Sequence, residues 1–137
     1  MPAVVAQQKS LVLILARELA SNIATPMFIL DRDGMLVYYN EPAEAVAGKP
    51  FSSVGEISAT EWGDSYSPRA ADGSEVDLLS LPPGVALLKR KAAHGKLRIT
   101  LHDGSEREIE ITAFPLFAHH DEFVGAVAIF WDANGKA

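Results

Sequence analysis

A stripe of apolar positions near the N-terminus predicts an amphipathic helix over residues 7–24. Ser10 can cap its start, and Pro26 disfavours helical geometry at the preceding residue, so the helix should end just before it. The stripe consists of Leu11, Val12, Leu15, Ala16, Leu19 and Ile23. Leu13 and Ile14 are apolar but lie off this face. The helix therefore either packs against both the domain and a second chain, or is simply well buried.

Two apolar runs around a polar turn predict a β-hairpin formed by residues 27–30 and 35–39. Gly34 supplies the positive φ that a tight turn requires, and Asp31 or Asp33 can accept hydrogen bonds from the turn backbone. The Asp-x-Asp-Gly order also suggests a calcium-binding loop. Such a loop needs a carboxylate at its twelfth position, which here is Pro42, so the turn interpretation is preferred.

A short helix is predicted immediately after the hairpin. Asn40 is its expected N-cap, and because Pro42 has no amide proton, the Asn40 side chain should accept from the amide of Ala43. The alanine-rich segment that follows stops at Gly48, which provides a left-handed residue at the helix end. The hairpin therefore leads directly into a capped helix.

The remaining chain divides into an irregular part and a regular part. Residues 52–83 are punctuated by Ser, Gly and Pro, which predicts loops and at most single helical turns. A longer helix is expected over residues 84–93, ended by the glycine that follows. Three strands are then predicted over residues 96–102, 107–117 and 123–132.

The last two predicted strands differ in how their apolar residues are arranged. In the first of them, Glu108 and Glu110 alternate with Ile109 and Ile111, which indicates one solvated and one buried face. The final strand, FVGAVAIFWD, is apolar on both faces and needs a cover, for which the N-terminal helix is the best candidate. The fold class predicted is α+β, a five-stranded antiparallel sheet with short helices on one face and an N-terminal amphipathic helix.

The composition is that of one globular domain. The chain has 137 residues, 48% of them hydrophobic and 22% charged. Its net charge of −6 argues against a nucleic-acid surface. The absence of cysteine excludes disulfides and thiolate chemistry and fits a reducing cytosol. The apolar run at residues 11–16 is interrupted by Arg17 and Glu18, far short of the roughly 20 residues of a membrane span, so we expect a cytoplasmic protein without a membrane partner.

Over about residues 22–132 the chain resembles a PAS domain. The matching positions occur in three stretches and in the expected order: Asp31, Gly34, Asn40 and Gly48; Asp72-Gly73 followed by LPPGVALLKR; and Asp103-Gly104, Pro115, Gly125 and Asp132. The resemblance implies an N-terminal helix over residues 1–24 used for dimerisation, a PAS domain over 25–132 and a short tail over 133–137. The chain is then either a stand-alone PAS protein or part of a longer sensor.

The resemblance also brings cofactor hypotheses. Light-sensing LOV members join a flavin to a cysteine, and the absence of cysteine excludes that photochemistry. Haem-binding members use a histidine on or beside the connecting helix, where His94 stands at the predicted helix end. A histidine there more often interacts with the helix dipole, so haem is not favoured and the cofactor stays unknown. The cluster at residues 119–122, with His119, His120 and two acidic residues, fits a solvated turn better than a metal site.

PAS domains are typically sensory or dimerisation modules rather than enzymes, and the resemblance implies a pocket between sheet and helices. The residues predicted to line it are Ile29, Val37, Asn40, Val46, Phe51, Ile57, Trp62, Leu88, Ile99, Ile111, Ala113, Val127 and Ile129. The residues predicted for dimerisation are Leu11, Val12, Leu15, Leu19 and Ile23.

The resemblance to PAS domains leaves two functions open. The first is a signal-transduction sensor that binds a small apolar ligand and relays its state through the N-terminal helix of a homodimer. The alternative is a ligand-free PAS module for dimerisation or protein interaction. In both cases a signalling protein is a possible further partner.

Overall fold

A computed structural model describes residues 2–55, 57–119 and 121–133, with side chains from residue 11 onward. Its elements in chain order are α1 (Pro2–Ala20), β1 (Met27–Asp31), β2 (Met35–Tyr39), α2 (Glu41–Ala47), α3 (Phe51–Val54), β3 (Ile57–Ser58), α4 (Ala59–Asp64), a 3-10 helix (Leu78–Ser80), α5 (Pro82–Lys89), β4 (Ala93–Thr100), β5 (Glu106–Phe117) and β6 (Phe123–Asp132).

The strands form one antiparallel sheet in the order β3-β2-β1-β6-β5-β4. The predicted α+β class with its antiparallel sheet is confirmed, although six strands are present in the described chain rather than five. The additional strand, β3, has two residues and pairs with Met35 and Leu36 at the edge of the sheet. A two-residue strand is too short to produce a detectable alternation of apolar and polar positions.

The β1–β2 hairpin has the turn chemistry that its sequence predicts. Gly34 has a φ of 81°, and its amide donates to the Asp31 carbonyl at 3.0 Å. The Asp31 carboxylate accepts from the amides of Asp33 at 2.9 Å and Met35 at 3.0 Å. The turn is therefore held by a side chain on its first residue and a left-handed glycine on its last.

The two faces of the sheet are covered by different elements. The segments from α2 to α5 cover one face, which we call the inner face, and α1 covers part of the other, the outer face. The core on the inner face includes Phe28, Leu30, Leu36, Leu97, Ile99, Ile109, Ile111 and Phe130. The core on the outer face joins Met27, Ile29 and Val127 to α1. The expectation that the N-terminal helix covers the last strand is confirmed.

The face that α1 and the residues just after it present to the sheet overlaps only in part with the predicted stripe: Ala16 and Ile23 are shared. Ala16 is 9% exposed and Ala20 is fully buried, with Leu13 and Ile23 packed beside them. Leu11, Leu15 and Leu19, which belong to the predicted stripe, point to solvent and are each more than half exposed. The sequence could not identify the buried face because this helix has apolar residues on all its sides. The alanines allow a closer approach to the sheet than leucines would.

The ends of α1 also differ from the prediction. The helix begins at Pro2, so Ser10 lies inside it and is not its cap. It ends at Ala20, earlier than predicted, because Ser21 Oγ and Asn22 Nδ2 both donate to the Glu18 carbonyl, at 3.0 Å and 2.7 Å. These side chains satisfy the last turn in place of further helix.

Helix α5 begins and ends earlier than the predicted 84–93. Pro82 and Pro83 occupy its first turn, where the missing amide protons cost nothing. Arg90, with a φ of 57°, ends the helix in the left-handed region. Gly95, expected to end it, instead lies in β4. The last two strands agree closely with the prediction.

One buried side chain joins four separate segments of the fold. Asn40 is fully buried, and its Oδ1 accepts from the amides of Met27 at 3.0 Å and Ala43 at 3.2 Å. Its Nδ2 donates to the carbonyls of Ala20 and Thr25, both at 2.9 Å. The predicted cap of α2 is confirmed. The contacts to the end of α1, to the segment after it and to the start of β1 could not be anticipated from local sequence.

We expect Asn40→Ala to lower the free energy of unfolding by about 2–4 kcal/mol, because it removes one cap and leaves buried backbone groups of three segments unpaired. Urea denaturation would measure the change. Asn22→Ala is the matched control: it also removes a side-chain amide bonded to a helix carbonyl, but an exposed one, and should cost less than about 1 kcal/mol. Equal costs for the two variants would show that burial of the Asn40 contacts is unimportant.

Candidate functional site

A cavity of about 300 Å³ lies between the inner face of the sheet and the segment from α4 to α5. This volume is at the lower end of the range found for ligand pockets. The sheet contributes Phe28, Leu30, Leu97, Ile99, Ile109, Ile111 and Phe130. The helical side contributes mainly Ala43, Val46, Ala59, Trp62, Tyr66, Leu78, Leu79, Leu81 and Leu87. The lining is therefore predominantly apolar.

A cluster of aromatic rings forms one wall of the cavity. The Trp62 ring stacks on Tyr39 with centroids 5.7 Å apart and meets the Phe28 ring edge-on at 5.0 Å. Tyr66 meets Trp62 edge-on at 5.4 Å. The hydroxyl of Tyr39 donates to the Lys49 carbonyl at 2.6 Å, which fixes the ring on which Trp62 stacks. These contacts hold Trp62 in one position before any ligand binds.

Few of the described lining residues have polar side chains: Asp33, Ser58, Thr60, Trp62 and Tyr66. Asp33 and Thr60 are exposed at the mouth. The Ser58 hydroxyl is used within the fold, since it accepts from the Glu61 amide at 3.1 Å and caps α4. Trp62 and Tyr66 are thus the polar side chains of the aromatic wall.

Burial shifts the acidity of both tyrosines of the cluster. It raises the pKa of Tyr66 to about 12, helped by the nearby Tyr39 and opposed by hydrogen bonding with the Trp62 side chain. It also raises the pKa of Tyr39, with a further contribution from the charge of Glu44. Both phenols are therefore uncharged at any physiological pH.

The fold resembles several solved structures of PAS and LOV domains. The PAS domain of a protein from Colwellia psychrerythraea has 16% sequence identity and a TM-score of 0.64, covering 91% of this chain and 99% of that one. A LOV domain from the Erythrobacter litoralis EL346 blue-light activated histidine kinase has 17% identity and a TM-score of 0.61, covering 82% and 98%. The PAS domain of nitrogen regulation protein NR(II) from Vibrio parahaemolyticus has 18% sequence identity and a TM-score of 0.56. The match covers 86% of this chain and 97% of that one.

This chain has the PAS domain fold. No protein-family model matches its sequence, and no curated protein matches it either. The likeness is therefore one of architecture, carried by the order of the strands and by the helices on the inner face. Within the described part of this PAS domain, no helix combines the length and apolarity that crossing a membrane would need.

Four of the residues predicted for the pocket line the cavity of the PAS domain: Val46, Trp62, Ile99 and Ile111. Ala113 belongs to the same inner core, and Phe51 and Ile57 pack against it without lining the cavity. Asn40 does not line the cavity. Its side chain accepts a hydrogen bond from the amide of Ala43 in α2, and Ala43 does line the cavity. Whether any of them binds a ligand stays a prediction.

The structure places the other five predicted pocket residues away from the cavity. Ile29, Val37, Val127 and Ile129 belong to the cluster on the outer face, packed with α1, and Leu88 is 59% exposed on α5. The prediction that they line the pocket was wrong, because the four strand residues lie on the outer face of the sheet and Leu88 lies on the solvent side of α5. In β1 and β6 nearly every position is apolar, so alternation cannot identify the inner side. In α5, Gly84 and Ala86 are buried instead of Leu88.

Several lining residues were missed at the sequence level. Phe28 and Phe130 are the inward neighbours of Ile29 and Ile129, one position away along each strand. Ile109 shares its face with Ile111, so the alternation of β5 could have identified it. Tyr66 belongs to the irregular middle segment, where no periodicity marks an inner side.

His94 lies on the outer face, opposite the cavity, and not at the end of a helix as predicted. It is in β4, with Nε2 3.3 Å from Glu110 Oε1 and its ring 6.0 Å from that of Trp131. It therefore does not line the described cavity. In the turn before β6, His119 Nε2 is 3.9 Å from Glu122 Oε1, while His120 lies outside the described residues. No group of three potential metal ligands occurs in the described residues.

The residues predicted for dimerisation divide into two groups. Leu11, Leu15 and Leu19 are 54%, 59% and 58% exposed and lie along one side of α1. Val12 is half-buried, and Ile23 packs with the outer-face cluster. Their role in dimerisation stays a prediction.

The raised pKa of Tyr66 predicts how its contribution to stability depends on pH. An unfolded tyrosine ionises near pH 10, and the folded group only at about 12. Folding is therefore favoured by this group at lower pH, and that contribution is lost as the pH rises from about 10 to about 12. The stability advantage of the wild type over Tyr66→Phe should shrink across this window in urea denaturation. An advantage that stays constant or grows would contradict the assignment.

Proposed function

We propose that this PAS domain is a sensory module that binds a small apolar ligand in its cavity and relays occupancy through α1 of a homodimer in signal transduction. The observation that carries this proposal is the apolar cavity of about 300 Å³ beside the Asn40 hydrogen-bond network. A cavity of this kind with few convergent polar groups is the usual form of a small-molecule site.

The path from cavity to α1 is short. Ala43 and Val46 of α2 line the cavity, and the amide of Ala43 donates to Asn40 Oδ1. Nδ2 of the same side chain donates to the carbonyl of Ala20, the last residue of α1. A ligand that moves α2 therefore acts on a side chain bonded to α1. Because buried hydrogen bonds have strict geometry, such a displacement favours a compensating movement at the helix end.

The architecture agrees with a signalling role. By their names, some of the similar structures belong to signalling proteins, among them a blue-light activated histidine kinase and a two-component sensor histidine kinase. The cavity chemistry favours binding over catalysis. Of the described lining residues, none is a histidine and one is a carboxylate, the exposed Asp33, so the cavity lacks a buried acid–base pair.

Native mass spectrometry of the purified protein, with solvent extraction of copurified molecules, tests this proposal together with a cavity-filling variant. We expect Ile111→Phe to reduce occupancy by at least about tenfold, because the larger ring enters the space a ligand needs. Ile129→Phe makes the same change on the outer face of the same sheet and should leave occupancy unchanged. Naphthalene serves as an apolar probe if nothing copurifies.

A wild-type protein that carries no molecule and gains no thermal stability from naphthalene would contradict ligand binding. Equal occupancy in both variants would place the ligand elsewhere. Retained folding of each variant is checked by circular dichroism.

A dimerisation module without ligand is the second candidate function. It is favoured by the exposed side of α1 formed by Leu11, Leu15 and Leu19, since contiguous apolar surface commonly marks an interface. On the part of the sheet's outer face beyond α1, Phe114 and Trp131 are each 36% exposed. A second copy that packed its α1 beside the first would bury both apolar regions.

We expect Leu15→Glu to weaken the dimer by at least about tenfold, because it would place a charge in the interface. Leu88→Glu is the matched control, since Leu88 on α5 has the same exposed fraction of 59%. Sedimentation across a concentration series measures both. A wild type that stays monomeric, or equal effects of the two substitutions, would rule out this interface.

A further inference from the structure

The hydroxyl of Tyr66 differs from every other polar group around the cavity. Among the described residues, no side-chain hydrogen bond is found in which its hydroxyl donates to an acceptor, and Tyr66 lines the cavity. Every fully buried side-chain nitrogen or oxygen in that part of the chain has a partner. An unpaired hydroxyl on a residue that lines the cavity is therefore reachable by a bound molecule.

The position of Tyr66 is fixed by its surroundings. Its amide donates to the Gly63 carbonyl at 3.1 Å, and its own carbonyl accepts from the amide of Thr100 at 2.8 Å. Its ring meets Trp62 edge-on at 5.4 Å. Hydrogen bonds to α4 and to the end of β4 thus hold the backbone of Tyr66, and the contact with Trp62 holds its ring. A donor held in this way loses little conformational entropy when it meets an acceptor.

We propose that Tyr66 is the polar recognition residue of the cavity, donating a hydrogen bond to one acceptor atom on an otherwise apolar, uncharged ligand of one or two rings. This inference rests on the proposed ligand-binding function and specifies its ligand class.

The size and charge of the ligand follow from the lining. A dry cavity of about 150 Å³ in another protein binds benzene, so about 300 Å³ fits a molecule of roughly two fused rings. No Lys or Arg is present in the described lining, and its one carboxylate, Asp33, lies exposed at the mouth. An ion inside would lose its hydration without gaining a counter-charge.

The acceptor follows from the protonation state of Tyr66. The phenol keeps its proton throughout the physiological range because burial raises its pKa to about 12. It therefore acts as a permanent donor. An acceptor such as a ketone oxygen completes the pairing.

The matched ligands 1-tetralone and tetralin test this inference, because they share a two-ring body and differ in one carbonyl. We expect calorimetry to show that Tyr66→Phe weakens 1-tetralone binding by about tenfold and changes tetralin binding by less than about twofold. The infrared carbonyl band of bound 1-tetralone should lie at lower frequency in the wild type than in the variant. Tyr38→Phe is the control, since it also removes a phenolic hydroxyl but Tyr38 packs with the outer-face cluster and does not line the cavity.

The outcomes separate the two proposals. Equal loss of both ligands in Tyr66→Phe, or an unchanged affinity and infrared band for 1-tetralone, would overturn the role of Tyr66 while leaving the cavity as a binding site. Failure of the wild type to bind either ligand would overturn the proposed function itself.

Discussion

The buried amide of Asn40 is the constraint on which the remaining structure depends. Its two donors and its acceptor oxygen meet backbone groups of α1, the segment after it, β1 and α2. No other side chain can replace it. Aspartate would accept but not donate, and an apolar residue would leave several backbone groups without partners in a site closed to water. An amide at this position therefore holds these segments together, and the short helix that lines the cavity is positioned by the same group.

A sheet with two apolar faces requires a cover on both, and the two covers differ in kind. On the outer face α1 packs closely, through the small residues Ala16 and Ala20, and leaves its leucines in solvent. On the inner face the segments from α2 to α5 pack on the sheet around an apolar cavity of about 300 Å³. One face is thus closed by a helix, and the other contains a cavity. The division explains why a cavity and an exposed helix side occur on opposite faces of one sheet.

The sequence predicted the local elements better than their assignment to faces. The hairpin, the Asn40 cap and the last strand depend on turn residues and on local alternation, which neighbouring positions reveal. The face of β6 could not be chosen because Val127 and Ala128 are both apolar, and the orientation of α1 depended on which residues the sheet could approach. Both are tertiary properties. The place of Tyr66 in the cavity lining could not be predicted for another reason. It follows a six-residue helix, in a segment whose conformation is decided by contacts with β4.

The segments around the cavity pack against one another as well as against the sheet. A Cβ on Gly84 would lie 2.6 Å from the Leu79 Cα, so α5 and the 3-10 helix touch backbone to backbone. The rings of Trp62 and Tyr66 likewise satisfy each other and Tyr39. Tyr39 belongs to β2, and Trp62 also meets Phe28 of β1, so the aromatic wall is held by the sheet as well as by its own rings. Walls that are already packed would need little reorganisation to receive a molecule, which supports the proposed ligand binding.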